Sequence, residues 1–234
     1  MKIGICDSGV GGIAVMKEIV KKFPSNTYVY ISDCKHVPYG NKPERLIKSY
    51  CKKALEHALK QGVELLIVAC NTMSVIGREI FIKNKKIPVL FVRPNVKKMF
   101  KEKRNNVKFF CTQKTSKSRA IGRLANKCSH IVVGCENLAS DIEKNIFHLD
   151  RVDCAIFKEY KNLTKIYLGC THYIFIKDRI KKLFPQAEIY DGVDEVIYQL
   201  QKILPKQTSD SKILQVKFVG SGKYRMKKVF FKYF

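Results

Sequence analysis

A chain of 234 residues, 46% of them hydrophobic, has enough material for one large domain or two modest lobes and is too apolar to be disordered. No stretch approaches the roughly 20 apolar residues of a membrane helix, and the opening MKIGICDSG has no charged region leading into an apolar one, so the chain reads as a soluble cytoplasmic protein without a signal peptide. Lys and Arg outnumber Asp and Glu by 45 to 20, a formal charge of +25; because the lysines are scattered as VKKFP, YCKKA, NKKIP and RIKKLF, with no aromatic-interleaved stripe, they read as a solvated surface rather than a nucleic-acid interface.

The elements alternate in type from the start. Residues 2–6 form an expected strand, 12–23 a helix, 27–33 a strand and 42–62 a helix closed by Gly62. A strand over 63–70, a helix over 72–84 and a strand over 87–92 follow. The second half keeps the same alternation, with strands over 107–111, 130–135, 165–170 and 187–191 between helices over 116–127, 138–147, 175–184 and 193–204. Such alternation predicts the α/β class, with mostly parallel sheets flanked by helices. Two series predict two lobes, with a boundary near Pro94. Beyond Pro205 comes a polar linker, a strand and a last helix, and pattern alone does not say where they dock.

In open α/β sheets ligands bind beyond the carboxyl ends of the strands. Asp7-Ser8, Asp33, Cys70-Asn71-Thr72, Glu136 and Cys170-Thr171-His172 all fall at such ends. Gly9, Gly11 and Ala14 fit a GxGxxA dinucleotide fingerprint, with Asp33 placed as a ribose ligand. Asp7 argues against it, because a carboxylate at the helix entrance repels a pyrophosphate. Asp7 and Ser8 suit a ligand with an ammonium group instead.

Nine cysteines are scattered with no CxxC and no paired spacing, which argues against a metal site and against a disulfide framework. Most read as free thiols in the core. Two are different, since VELLIVACNT and KIYLGCTH each end an apolar run in a cysteine followed by hydroxyl or amide donors. Matched thiols, one in each half, suit a task that is itself symmetric. Inverting a stereocentre is one: a thiolate removes the proton at Cα and the opposite thiol returns a proton to the other face. A free thiol titrates at about 8.5, near enough to neutrality for both roles after modest tuning, with His172 beside Cys170 and Asp7 near Cys70 as the tuning groups.

The stretches DSGVGG, VPYG, ACNT and LGCTHY stand in the order and spacing of the glutamate racemases, within the aspartate/glutamate racemase family. CTQKTSKS resembles that family's middle-lobe motif, VVGCE its segment with a functional glutamate, and FVGSGKYRMKKVFFKYF its closing strand and helix. The resemblance implies a racemase that interconverts L- and D-glutamate without any cofactor and supplies D-glutamate for peptidoglycan. By it, Cys70 and Cys170 are the acid/base pair, Glu136 and His172 assist the second thiol, and Asp7, Ser8, Tyr39, Gly40, Asn71, Thr72, Thr115, Thr171 and His172 bind substrate. It also implies two pseudo-symmetric lobes facing across a cleft, residues 1–94 plus a returning 205–234, and residues 95–204. Pro38 adds a fixed turn that presents Tyr39 and Gly40 to a carboxylate. GCTH rather than GCTE favours glutamate over aspartate. No metal is implied, and a homodimer is the expected assembly. The alternatives are a racemase of aspartate or another amino acid, an NAD-type oxidoreductase on the glycine loop, and a basic nucleic-acid-binding protein on the same scaffold.

Overall fold

The computed structural model describes residues 1–93, 106–125, 131–204 and 214–234. Short β-branched runs give nine strands among these residues. The first sheet takes β1 (Lys2–Asp7), β2 (Thr27–Asp33), β3 (Leu65–Val68), β4 (Val89–Phe91) and β9 (Gln215–Ser221), in the order β4-β3-β1-β2-β9. The second takes β5 (Val107–Thr112), β6 (Val132–Cys135), β7 (Lys165–Gly169) and β8 (Glu188–Tyr190), in the order β6-β5-β7-β8. Every strand pair is parallel. Parallel strands need covered faces, and β1 and β3 are accordingly buried almost throughout.

Helices fill the crossovers. α1 (Gly11–Lys22) buries one face with Ile13, Met16, Ile19 and Val20 and carries Lys21 and Lys22 in its last turn, where the helix dipole favours cations. α2 (Glu44–Lys60) starts after Pro43 and buries Ile47, Cys51 and Ala58, one stripe at helical spacing. The expected helix over 72–84 is two, α3 (Asn71–Ile76) and α4 (Arg78–Lys83), broken at Gly77, where Cys51 of α2 packs against the backbone. A separate one-turn helix α5 (Gln113–Ser116) comes first and the expected helix over 116–127 starts later, as α6 (Arg119–Ala125), with residues 126 and 127 outside the described part. α7 (Leu138–Lys144), α8 (Ala155–Lys158), α9 (Lys177–Leu183), α10 (Val193–Ile203) and α11 (Lys223–Tyr233) complete the set. α8 is a short helix that the residue pattern does not announce.

The tail docks on the first sheet. β9 pairs with β2 over its whole length, from Thr27↔Gln215 to Asp33↔Ser221, and α11 packs on α1. α10, grouped by sequence with the second half, also leans on α1 and β4 of the first. The lobe boundaries near 94 and 205 fall outside the described residues. A hydrophobic cluster runs continuously from Ile3, Ile13 and Ile67 to Phe110, Leu168 and Tyr173, so the two sheets share buried ground. The eight described cysteines are free thiols, and Cys128 lies outside the described residues. Among the described residues no helix is long and apolar enough to cross a membrane.

Candidate active site

The strand order reverses once within β1–β4 and once within β5–β8. The chain leaves β1 for β2 on one side and returns to β3 on the other, so the first switch point lies between the ends of β1 and β3. The second lies between β5 and β7. Doubly wound sheets place their ligands at such crevices. The residues that end these four strands, or follow them within two positions, include Asp7, Cys70, Thr112 and Cys170.

Cys70 caps the start of α3, and its Sγ faces the Ser8 hydroxyl at 3.7 Å. Burial pushes its thiol up, and the Asp7 carboxylate and the Cys170 thiol add to the effect, so the three groups share one electrostatic neighbourhood. Cys170 precedes the 3-10 turn Thr171–Ile176, and its Sγ lies 3.7 Å from Nδ1 of His172. The other ring nitrogen of His172 meets Oε2 of Glu143 at 2.7 Å. Burial works to lower the His172 pKa, but the contacts with Cys170 and Glu143 outweigh it and hold it well above the ordinary histidine value.

Asp7 ties the two halves together. Its Oδ1 accepts from Gly9 N–H at 3.0 Å and its Oδ2 from the Thr171 hydroxyl at 3.0 Å. Burial raises this carboxyl above its usual range, against the pull of His172, Gly9 and Thr171. A second bridge joins Thr72 to Thr112 and Thr115, whose hydroxyls lie 3.1 and 3.3 Å from its own. Asn71 is buried, and its Nδ2 has no hydrogen-bond partner. An orphaned donor beside a thiol is what a carboxylate ligand would satisfy.

Two N–H groups of the glycine loop are already taken. Gly9 donates to Asp7, and Val10 donates to Oε2 of Glu143 at 3.0 Å. Asp33 is engaged elsewhere: it accepts from Tyr39 at 2.9 Å and Ser221 at 3.2 Å and pairs with His36 at 2.8 Å. The dinucleotide reading thus loses two of its loop N–H groups and its ribose acid.

The structure thus gathers Asp7, Ser8, Cys70, Asn71, Thr72, Thr115, Cys170, Thr171 and His172, all buried. Tyr39 and Gly40 follow the cis Val37–Pro38 bond in a short 3-10 turn; the Tyr39 ring points to Asp33, and the Gly40 backbone lies against Thr112. Glu136 requires a correction. It is exposed at the end of β6 and lines a separate depression of about 480 Å³ with Asn137, Asp141 and Lys144. The carboxylate that meets His172 is Glu143, further along the chain in α7. Burial raises it, yet the His172 hydrogen bond and charge, the Val10 N–H and Arg225 bring it below its usual range. The sequence does carry a signal for it: Leu138, Ala139, Ile142 and Glu143 form the buried stripe of α7, and an acid on an apolar stripe needs a partner. Thr112 joins this cluster through the Thr72 hydroxyl; it lies within the CTQKTSKS motif, but sequence reasoning does not single it out.

No protein-family model matches the chain. A glutamate racemase of Halothermothrix orenii is 32% identical over 240 residues, 95% of this chain and 94% of that protein. Glutamate racemase 2 of Bacillus subtilis is 32% identical over 219 residues, 87% of this chain and 82% of that one. Among solved structures, the glutamate racemase of Campylobacter jejuni superposes with a TM-score of 0.82 at 25% identity, covering 98% of this chain and 96% of its own. That of Francisella tularensis, in complex with D-glutamate, gives 0.77 at 28% identity, covering 99% and 93%.

Proposed function

Since the chain belongs to the glutamate racemase family, we propose that it interconverts L- and D-glutamate with Cys70 and Cys170 acting on opposite faces of Cα, and that the D-glutamate serves peptidoglycan synthesis. One observation carries this reading. Each sheet ends a switch-point strand in a cysteine with its own polar neighbour, and Asp7–Thr171 and Thr72–Thr112 join the two ends into one enclosure.

The chemistry divides between the two sides. Burial keeps Cys70 a thiol in the resting site, so it is the acid there. The base is Cys170, with His172 at 3.7 Å to hold or take its proton. Removal of the α-proton leaves negative charge on the substrate carboxylate. Asn71 Nδ2 and the Thr72 and Thr115 hydroxyls are donors that stabilise this charge without adding one of their own. Asp7 accepts from the substrate ammonium group, and Ser8 supplies a hydroxyl beside it. Protonation by Cys70 on the opposite face completes the inversion, and the reverse reaction exchanges the roles. By family resemblance Cys170 faces L-glutamate and Cys70 D-glutamate.

The test replaces each thiol with a hydroxyl, which keeps size and hydrogen bonding but titrates far too high to be the base. Cys70→Ser and Cys170→Ser should both lose racemisation, since turnover needs an acid and a base. Each should still eliminate a leaving group from Cβ of an amino acid, because elimination needs one base only: Cys70→Ser from the L-enantiomer, Cys170→Ser from the D-enantiomer. The same preference in both variants, or unmutated racemisation in either, would refute the two-thiol mechanism.

A further inference from the structure

Glu143 carries a third donor that comes from outside the sheet ends. His172 and Val10 N–H share its Oε2, whereas Oε1 is held by Nη1 of Arg225, and Nη2 of the same guanidinium reaches the Glu143 backbone carbonyl. Arg225 stands on α11, the last helix of the chain, which the β2–β9 pairing anchors to the first sheet. Its planar fork therefore grips the carboxylate and the backbone of one residue at once, which the point charge of a lysine cannot do. The Glu143 side chain is only 6% exposed and that of Arg225 34%, so one end of the pair is dry and the other meets solvent.

This matters during turnover. As His172 gives up and regains a proton, its charge comes and goes, and Glu143 would alternate between a paired anion and an uncompensated one in a buried setting. The Arg225 charge does not change. It keeps the carboxylate ionised and aimed while the imidazole cycles, and it does so on the Cys170 side, since Cys70 has Ser8 as its own neighbour.

We infer that Arg225 is a positioning residue for the Cys170 half of the reaction, holding Glu143 anionic and aligned on His172 from the C-terminal helix. The inference rests on the two-thiol mechanism proposed for the site. Two other bonds cross from the same helix to the chain just after α7: Lys232 Nζ donates to the Phe147 carbonyl and the Tyr233 hydroxyl to that of Ile146. They dock the helix without touching the Glu143 carboxylate, which makes Lys232 the structural control.

The defect cannot be read from the two directions of turnover. L- and D-glutamate have equal free energy in water, so kcat/KM must stay equal in both directions in every variant. Isotope effects are free of that constraint. In Arg225→Gln, kcat/KM should fall by roughly 10- to 100-fold, and the step at Cys170 should become limiting. The α-deuterium effect on kcat/KM should then rise for the enantiomer that Cys170 deprotonates and fall toward one for the other, whose deuterium leaves in the step at Cys70. Arg225→Lys should move both effects in the same sense but less, and it serves as the readout where Arg225→Gln does not fold. Lys232→Gln should leave both effects unchanged. Loss of rate with the two isotope effects unmoved, or a rate within about two-fold of the unmutated enzyme, overturns the inference. Opposite elimination preferences of the two serine variants, combined with unmoved isotope effects, sink this inference alone; matching preferences sink the two-thiol mechanism with it.

Discussion

Two glutamates seven positions apart make the sharpest contrast between individual residues. Glu136 directly follows the β6 cysteine and so reads as a strand-end functional acid, yet a strand end can point into the crevice or away from it. Here it is exposed and lines a different depression. Glu143 lies on the buried stripe of α7, where the 3.6-residue period turns it toward His172. Glu143→Gln keeps the shape but removes the charge that His172 and Arg225 share, and kcat/KM should drop by about 10- to 100-fold. Glu136→Gln should change it by less than about two-fold. Steady-state racemisation of both variants decides between them, and a larger loss in Glu136→Gln would reinstate Glu136 as the functional acid.

Among the elements, the C-terminal strand shows what local pattern leaves open. Residues 215–221 are legible as a strand from Val216, Phe218 and Val219, but an edge strand can add to any free sheet edge of compatible pattern. The choice of β2 as partner rests on tertiary contacts. Phe218 packs between Tyr30 and Phe230, and Gly220 passes so close to the Ser32 carbonyl that no side chain fits. Gly220 also has φ of 96°, in the region that favours glycine. Gly220→Ala should therefore destabilise the protein by about 2–4 kcal/mol, combining backbone strain with the clash. Urea unfolding measures this, and an unchanged midpoint would show that β9 does not need the close approach. α10 makes the same point. Its apolar stripe of Val193, Val196 and Leu200 is readable, but not that it faces α1 and β4.

Across the molecule as a whole, the scattered cysteines have a collective effect. Cys51 and Cys135 are buried, and burial lifts each from 9.0 to about 12; Cys6 and Cys111 are raised well above 9.0 for the same first reason. Between pH 9 and 12 the unfolded chain releases these protons while the folded one retains them. The unfolded state then binds fewer protons, so stability falls as pH rises, by up to about 1.4 kcal/mol per pH unit for each thiol. Below pH 9 the contribution is fully present. Lysine deprotonation acts in the opposite sense by relieving the +25 charge, so the comparison must be with a variant lacking one thiol. Cys51→Ala should lose stability less steeply between pH 9 and 10.5 than the unmutated protein, whatever its starting value. Parallel pH curves would count against burial of the neutral thiol as the cause.

The α/β class, the alternation of the strands with the longer helices and the pairing of Cys70 with Cys170 as two strand-end thiols are legible in the residue order, because strand period, helix period and the residue that follows a strand are properties of neighbours in the chain. The same locality makes Asp7, Ser8, Asn71, Thr72, Thr171 and His172 readable as candidate site residues: each sits within two positions of a strand end or of one of those thiols. It took the folded arrangement to bring Glu143 and not Glu136 to His172, to set Thr112 against Thr72, and to deliver Arg225 from the last helix to the second half of the site. Those contacts join residues tens of positions apart, and they depend on how the helices lie across two sheets, which no local periodicity encodes.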